Sequence, residues 1–294
     1  MTDWPLARKY AVGGWVTLVV AYLLLAGIPF DRANQLILIL TAALAFSVGT
    51  NHGPFRIFAD WIPFFILLYA YDFSRGAADQ FGRPVLVEEI YNIELSWFGI
   101  GGKIPTVWFQ EHLYNPDQIP LWESLVALIY CSHFIVPWVI IGTLYVRNHD
   151  LWEKFARRII LLSLSGLATY LTFPAAPPWY AANSGIGQEV LRISTRGWSA
   201  LGIPIAGQII TLGQGVVNQV AAIPSLHAGM AILISIFFWS RSKIATKVFL
   251  VAYVLGMVFT LVYGGEHYVF DALLGGIYVV AIELCCRAWE RRAK

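Results

Sequence analysis

AAIPSLHAGMAILISIFFWS, residues 221–240, is the stretch on which the reading of this chain turns. From Leu226 onward it is an apolar run with no charged residue before Arg241. It opens, however, on Pro224, Ser225 and His227. Polar groups at the head of a membrane helix are costly unless they bond something, and they mark functional positions by default.

Composition sets the surroundings of this run. The 294 residues are 58% hydrophobic and 13% charged, with a mean hydropathy of +0.63 and 12 Trp. A soluble domain carries about a quarter charged residues. The balance is that of an integral membrane protein with aromatic belts. The formal net charge of +2 comes with no basic stripe, which argues against nucleic acid as a partner. Cys131, Cys285 and Cys286 lie in apolar runs and match neither a disulfide framework nor a zinc spacing. The N-terminal apolar segment has no small-residue cleavage site and reads as a retained anchor.

A bilayer-crossing helix needs about 20 apolar residues. Eight segments approach this, at roughly 11–30, 34–50, 55–73, 121–146, 157–174, 225–241, 245–263 and 268–287. The connections 74–120 and 175–224 are rich in Gly, Pro and aromatics and read as interfacial loops with short amphipathic helices. The expected fold is therefore all-α and polytopic, with about eight transmembrane helices.

With the N-terminus inside, only Arg32, Arg75, Arg83, Lys103, Arg192 and Arg196 of the 20 Lys and Arg residues fall outside. Cytoplasmic loops collect basic residues, so this orientation is the expected one. Both termini are then cytoplasmic, and Pro224–His227 and Glu266–Asp271 share the outer face.

The second polar opening is YGGEHYVFDALLGG, residues 263–276. His267 and Asp271 are four apart and share a helix face. A carboxylate there fixes the imidazole tautomer and leaves the other ring nitrogen basic and aimed. Gly264 and Gly265 are expected to let a ligand approach the backbone closely. At 224–227, proline suits a first helical turn, and the free amides of that turn attract an anion. Ser225 adds a hydroxyl donor, and His227 a general acid. One helix start then offers a phosphate-sized receptor and the other an oriented histidine. A zinc site would need a third strong ligand, and none stands near. His133, in the middle of the fourth segment, reads first as a neutral histidine bonded to a neighbouring helix.

IPSLHAG and GGEHYVFDALLGG resemble the second and third signature motifs of the type 2 phosphatidic acid phosphatase (PAP2) superfamily. FPAAPPWY at 173–180, RISTRG at 192–197 and IPSLHAGMA at 223–231 follow the order of its inositol phosphorylceramide synthase branch. The likeness covers roughly residues 120–280. It implies two N-terminal transmembrane helices (1–54) before a PAP2-like catalytic membrane domain (55–294) with a six-helix core.

The resemblance also implies a mechanism. His267 attacks phosphorus to form a phosphohistidine, Asp271 orients it, His227 protonates the leaving oxygen and Ser225 binds phosphate, without metal or cofactor. The superfamily's first motif, a Lys and an Arg-Pro, has no match here. Arg75, Arg192 and Arg196 are the candidates to balance the phosphate charge, and Pro178, Trp179 and Tyr180 the candidate pocket rim. The implied partners are a phospholipid donor and a lipid-alcohol acceptor, in what reads as a prokaryotic plasma membrane. Hydrolysis of a lipid phosphate by the same triad stays open, as does a lipid-phosphate carrier that binds without chemistry.

Overall fold

The computed structural model describes residues 4–26, 32–49, 54–77, 83–215 and 218–292. His52 and Asp79 lie outside these residues, as does the side chain of Arg75. Among the described residues the secondary structure is helical: α1 (Trp4–Ala26), α2 (Arg32–Phe46), α3 (Pro54–Ala77), α4 (Glu88–Phe98), α5 (Pro105–Leu113), α6 (Glu123–Arg147), α7 (His149–Thr172), α8 (Pro178–Asn183), α9 (Gly197–Ala200), α10 (Pro204–Gly215), α11 (Leu226–Trp239), α12 (Ile244–Tyr263) and α13 (Val269–Arg292). The eight apolar segments correspond to α1, α2, α3, α6, α7, α11, α12 and α13. The two long connections hold the short helices between them.

Segments Leu6–Leu25, Glu123–Arg147, Ile244–Tyr263 and Val269–Arg292 are long and apolar enough to cross a membrane. The protein is an all-α polytopic membrane protein. α7 is longer than its apolar stretch because the charged HDLWEKFARR is itself helical. α11 is shorter than expected, 14 residues. At 1.5 Å per residue it spans about 21 Å, less than the roughly 30 Å hydrocarbon core.

The chain forms two compact units. The first holds residues up to Phe73 together with Val139–Glu153. Its α1 and α2 are joined by Trp15 Nε1 donating to Thr41 Oγ1 (3.0 Å) and Arg8 Nε to the Val48 carbonyl (2.8 Å). Trp61, Phe64, Tyr145 and Trp152 are buried here. Beside them Asp60 accepts from the Tyr145 hydroxyl (3.1 Å) and pairs with His149 Nε2 (3.0 Å).

The second unit, Ser74–Trp138 and Lys154–Lys294, carries both polar helix starts. Its core packs α11 against α12 and α13, with Leu233, Met257, Leu261 and Val279 fully buried. The crossing of α11 and α13 depends on small residues, as close membrane helices do. A Cβ on Gly275 would stand 2.5 Å from the Ser225 carbonyl and 3.2 Å from the Gly229 amide nitrogen. Three bonds gather one set of helix ends: Tyr263 to Glu123 (2.7 Å), the Tyr170 hydroxyl to the Pro224 carbonyl (2.8 Å), and the Ser225 amide to the Asp271 carbonyl (3.0 Å). At the other end buried Arg158 pairs with Glu283 (2.5 Å) and Glu290 (2.6 Å).

The long connections are pinned to this bundle. Leu86 and Ala221 each bridge to Ala175 in parallel, which ties three extended stretches together just before Pro224. The FPAAPPWY segment thereby fixes the approach to α11. Gln110 donates to the carbonyls of Leu191 and Tyr263, both at 2.8 Å, and anchors the RIST loop to the end of α12.

Candidate functional site

Each polar helix start has a local cause. α12 ends in a Schellman stop: the Gly265 amide donates to Val262 (3.2 Å) and the Glu266 amide to Leu261 (2.9 Å), with Gly265 at φ 75°. A Cβ on Gly265 would meet the Leu191 carbonyl at 2.7 Å. One on Gly264 would meet the Thr260 carbonyl at 2.7 Å. The close approach these glycines permit here is to their own chain.

The stop hands the chain directly to His267 and to the start of α13. Four amides at a helix start lack intrahelical partners. Here two carboxylates take three of them. Asp271 Oδ2 accepts from Tyr268 N (2.9 Å), half of a capping box, and Glu94 accepts from Val269 N (2.9 Å) and Phe270 N (3.0 Å). Two acids at a helix N-terminus also complement its dipole. Glu94 comes from α4 and is fully buried. Burial pushes its carboxyl up to about 7, against the two amide bonds that favour ionisation.

Asp271 is fully buried, and its Oδ2 also lies 3.3 Å from His267 Nδ1. One carboxylate oxygen thus both accepts a backbone amide and bonds the imidazole, while Oδ1 is buried with no partner among the described residues. The Nε2 edge of that ring is turned away from the carboxylate. At the start of α11, Ser225 is the N-cap: its Oγ accepts from Ala228 N (3.3 Å), and the hydroxyl proton stays available to donate.

The two histidines meet. The rings of His227 and His267 are 5.5 Å apart, centroid to centroid. His227 lies against one face of α6, where Tyr130, His133 and Phe134 follow the i, i+3, i+4 spacing of a helix face. Its ring stacks on Tyr130 at 5.3 Å and lies 3.9 Å from His133 and 5.6 Å from Phe134.

The candidate cations part company. Arg192 is clasped by Glu266: Nε to Oε1 (3.0 Å) and Oε2 (3.1 Å), and Nη2 to Oε2 (2.8 Å). Ser194 and Gln214 complete Glu266, and Gln214 also donates to the Tyr130 hydroxyl (2.8 Å). The Arg192 guanidinium lies 4.8 Å over the Trp179 ring. Burial opposes its charge, and Glu266 outweighs that, holding its pKa above the ordinary arginine value. Arg196 turns elsewhere. It pairs with buried Glu123 (2.9 Å), donates to the carbonyls of Asn115 (2.5 Å) and Gln118 (2.9 Å), and covers the Tyr114 ring. Those contacts close a loop over the start of α6.

Of the expected rim, Trp179 stands against Arg192, and its amide donates to the Gly265 carbonyl (3.3 Å). Pro178 is buried in the first turn of α8, and Tyr180 packs edge-on against Trp179. Among the described residues no group of three or more His, Cys, Asp or Glu has metal-holding geometry. A cavity of about 460 Å³, lined among others by Ile232, Trp239, Val251 and Arg287, lies toward the opposite end of α11 from the histidines.

Glu94, Gln214 and Tyr130 had no part in the sequence reading, Glu266 was placed on the outer face without a role, and His133 was read as structural. YCSHF at 130–134 carried the one available signal, two aromatics and a histidine on a single helix face.

A polytopic helical bundle thus brings a histidine bonded to an aspartate to 5.5 Å, centroid to centroid, from a second histidine. Residues 106–285 match the PAP2 superfamily, and the chain belongs to it. It is 27% identical over 231 residues to the phosphoinositol dihydroceramide synthase of Bacteroides thetaiotaomicron, covering 73% of this chain and 71% of that one. It is 28% identical over 173 residues to the inositol phosphorylceramide synthase catalytic subunit aur1 of Schizosaccharomyces pombe, covering 56% of this chain and 39% of that one. No solved structure matches the chain.

Proposed function

We propose that this protein is a lipid phosphotransferase that moves an inositol phosphate headgroup from a phospholipid to the hydroxyl of a ceramide-type lipid. The observation that carries the reading is the pairing of His267, held through Nδ1 by Asp271, with His227 at 5.5 Å between ring centroids. The activities for which the two relatives are named supply the headgroup and acceptor class.

In the first half-reaction His267 Nε2 attacks phosphorus. The bond from phosphorus to the donor's glyceride oxygen breaks, and His227 gives its proton to that oxygen. In the second, His227 takes the proton of the acceptor hydroxyl, whose oxygen attacks phosphorus and releases His267. Asp271 holds the imidazole as it becomes cationic. Such transfer needs positioning and charge balance more than further covalent chemistry. Arg192 supplies the charge, with its Nη1 edge outside the Glu266 clasp. The Ser225 hydroxyl and the amides of Leu226 and His227 supply the donors. Arg75 stays a second candidate cation. Arg196 serves the loop rather than the phosphate.

His133 lies ten residues into α6, about 15 Å along its axis from Glu123, so the reaction occurs below the membrane surface. That depth supports a lipid hydroxyl over water as acceptor. The catalytic domain spans 55–294, after two helices in 1–54. Both termini are cytoplasmic, and the site opens toward the outer leaflet of a prokaryotic plasma membrane.

The test uses purified protein in mixed micelles with headgroup-labelled phosphatidylinositol, with and without ceramide. Label on ceramide, lost in His267→Ala, supports the transferase. Label only in water-soluble phosphate would make the protein a hydrolase. Binding of donor without turnover would make it a carrier.

A further inference from the structure

Almost every polar group around the two histidines has a protein partner: Asp271 Oδ2, Glu94, Glu266, Gln214, Ser194 and Arg192 all do. Asp271 Oδ1 and two imidazole nitrogens are exceptions among the described residues. His133 Nδ1 and His227 Nε2 are both shut off from solvent and make no hydrogen bond among the described residues. A buried polar atom left unpaired costs about 1–3 kcal/mol, and native proteins keep few of them. Here two occur on rings 3.9 Å apart. The adjoining wall is not sealed by protein, because Phe134 is 46% exposed.

We propose that His133 is a specificity-determining residue for the acceptor. Its Nδ1 and the Nε2 of His227 together receive the polar head of the incoming lipid alcohol, whose chains leave past half-exposed Phe134. The inference rests on the transferase reading and adds a division of labour to it. His267, Asp271 and Arg192 handle the donor phosphate. His227 serves both half-reactions, and His133 serves only the second. A lipid alcohol is the favoured occupant because the pair lies about 15 Å along α6 from Glu123 and adjoins half-exposed, apolar Phe134. A site built to bond a hydroxyl discriminates strongly against an occupant that cannot satisfy it.

The experiment compares His133→Phe, which keeps a flat ring beside His227, with His133→Asn, which restores a polar atom near the Nδ1 position. Three quantities are read: release of diacylglycerol from phosphatidylinositol without acceptor, KM for a short-chain ceramide, and the partition of labelled headgroup between ceramide and water. For His133→Phe the expected result is a rise of about tenfold or more in acceptor KM, the equivalent of one lost hydrogen bond. Product shifts toward water, while donor cleavage falls much less. His133→Asn recovers part of the acceptor affinity.

Equal loss of donor cleavage and transfer in His133→Phe would overturn the proposal and place His133 with the donor machinery. So would an unchanged partition, which would make the ring mere packing. A wild-type protein that gives water-soluble product despite ceramide would overturn the transferase reading itself, and the acceptor site with it.

Discussion

The amide of Ser225 donates to the carbonyl of Asp271 at 3.0 Å. The helix that presents His227 is therefore bonded directly to the helix that orients His267. Gly275 sits at the same crossing, where a Cβ would stand 2.5 Å from the Ser225 carbonyl. Gly275→Ala must push α11 and α13 apart. The expected cost is about 1–3 kcal/mol of stability. Turnover is expected to fall on the order of 10²-fold, since a displacement of about 1 Å misaligns the two rings. Thermal unfolding in detergent and transfer assays on the surviving folded protein check both. Full activity in a folded variant would mean that the crossing does not set the site.

Asp271→Asn tests the orienting role. Asparagine keeps the size and can still accept from Tyr268 N, so the capping bond survives. The tautomer preference of His267 does not. Loss of turnover on the order of 10³-fold with donor affinity little changed is expected. If donor binding and turnover fell together, Asp271 would be holding the fold and not the imidazole.

The two loop arginines separate by readout. Arg192→Lys keeps a charge but loses the planar fork that grips Glu266. It is expected to raise KM for phosphatidylinositol or lower kcat by about tenfold, one or two charge-assisted bonds. Arg196→Ala leaves buried Glu123 without its cation, for which a stability loss of about 3–5 kcal/mol is typical. Donor KM in whatever folds should stay near wild type. The reverse pattern, with Arg196 affecting donor KM and Arg192 only stability, would reassign the phosphate cation.

Glu94 predicts a pH signature. Its folded pKa of about 7 lies above the ordinary 4.5, so folding favours the neutral acid. That contribution is fully present below 4.5 and is lost as pH rises through 7. The difference is on the order of 3 kcal/mol. Glu94→Gln stays neutral throughout. Its thermal stability should vary less than wild type between pH 4.5 and 7. An identical slope in both proteins would place the titration elsewhere.

The helices and the two histidine motifs were legible because they are local. Apolar runs of about 20 residues declare spans, and the four-residue step from His267 to Asp271 declares a shared face. The rest of the site was not local. Glu94 reaches amides 175 and 176 residues later, and Glu266 takes Arg192 from 74 residues earlier. Neither pairing has a spacing signature. His133 sat inside an apolar run, where a structural histidine is the simpler reading, and its neighbour His227 arrives only through the packing of α11 on α6. Gly264 and Gly265 stood beside the nucleophile candidate in sequence and were read as serving it. In the fold they end α12.

The most direct measurement is a trapping experiment on His267. Protein mixed with phosphatidylinositol labelled at phosphorus is quenched before acceptor is added, digested, and mapped by mass spectrometry. The expected result is an acid-labile, alkali-stable inositol-phosphoryl group on the peptide containing His267. It should disappear on addition of ceramide as labelled inositol phosphorylceramide forms, and be absent in His267→Ala. Product formation with no label ever held by the protein, or label held on a residue other than His267, would contradict it.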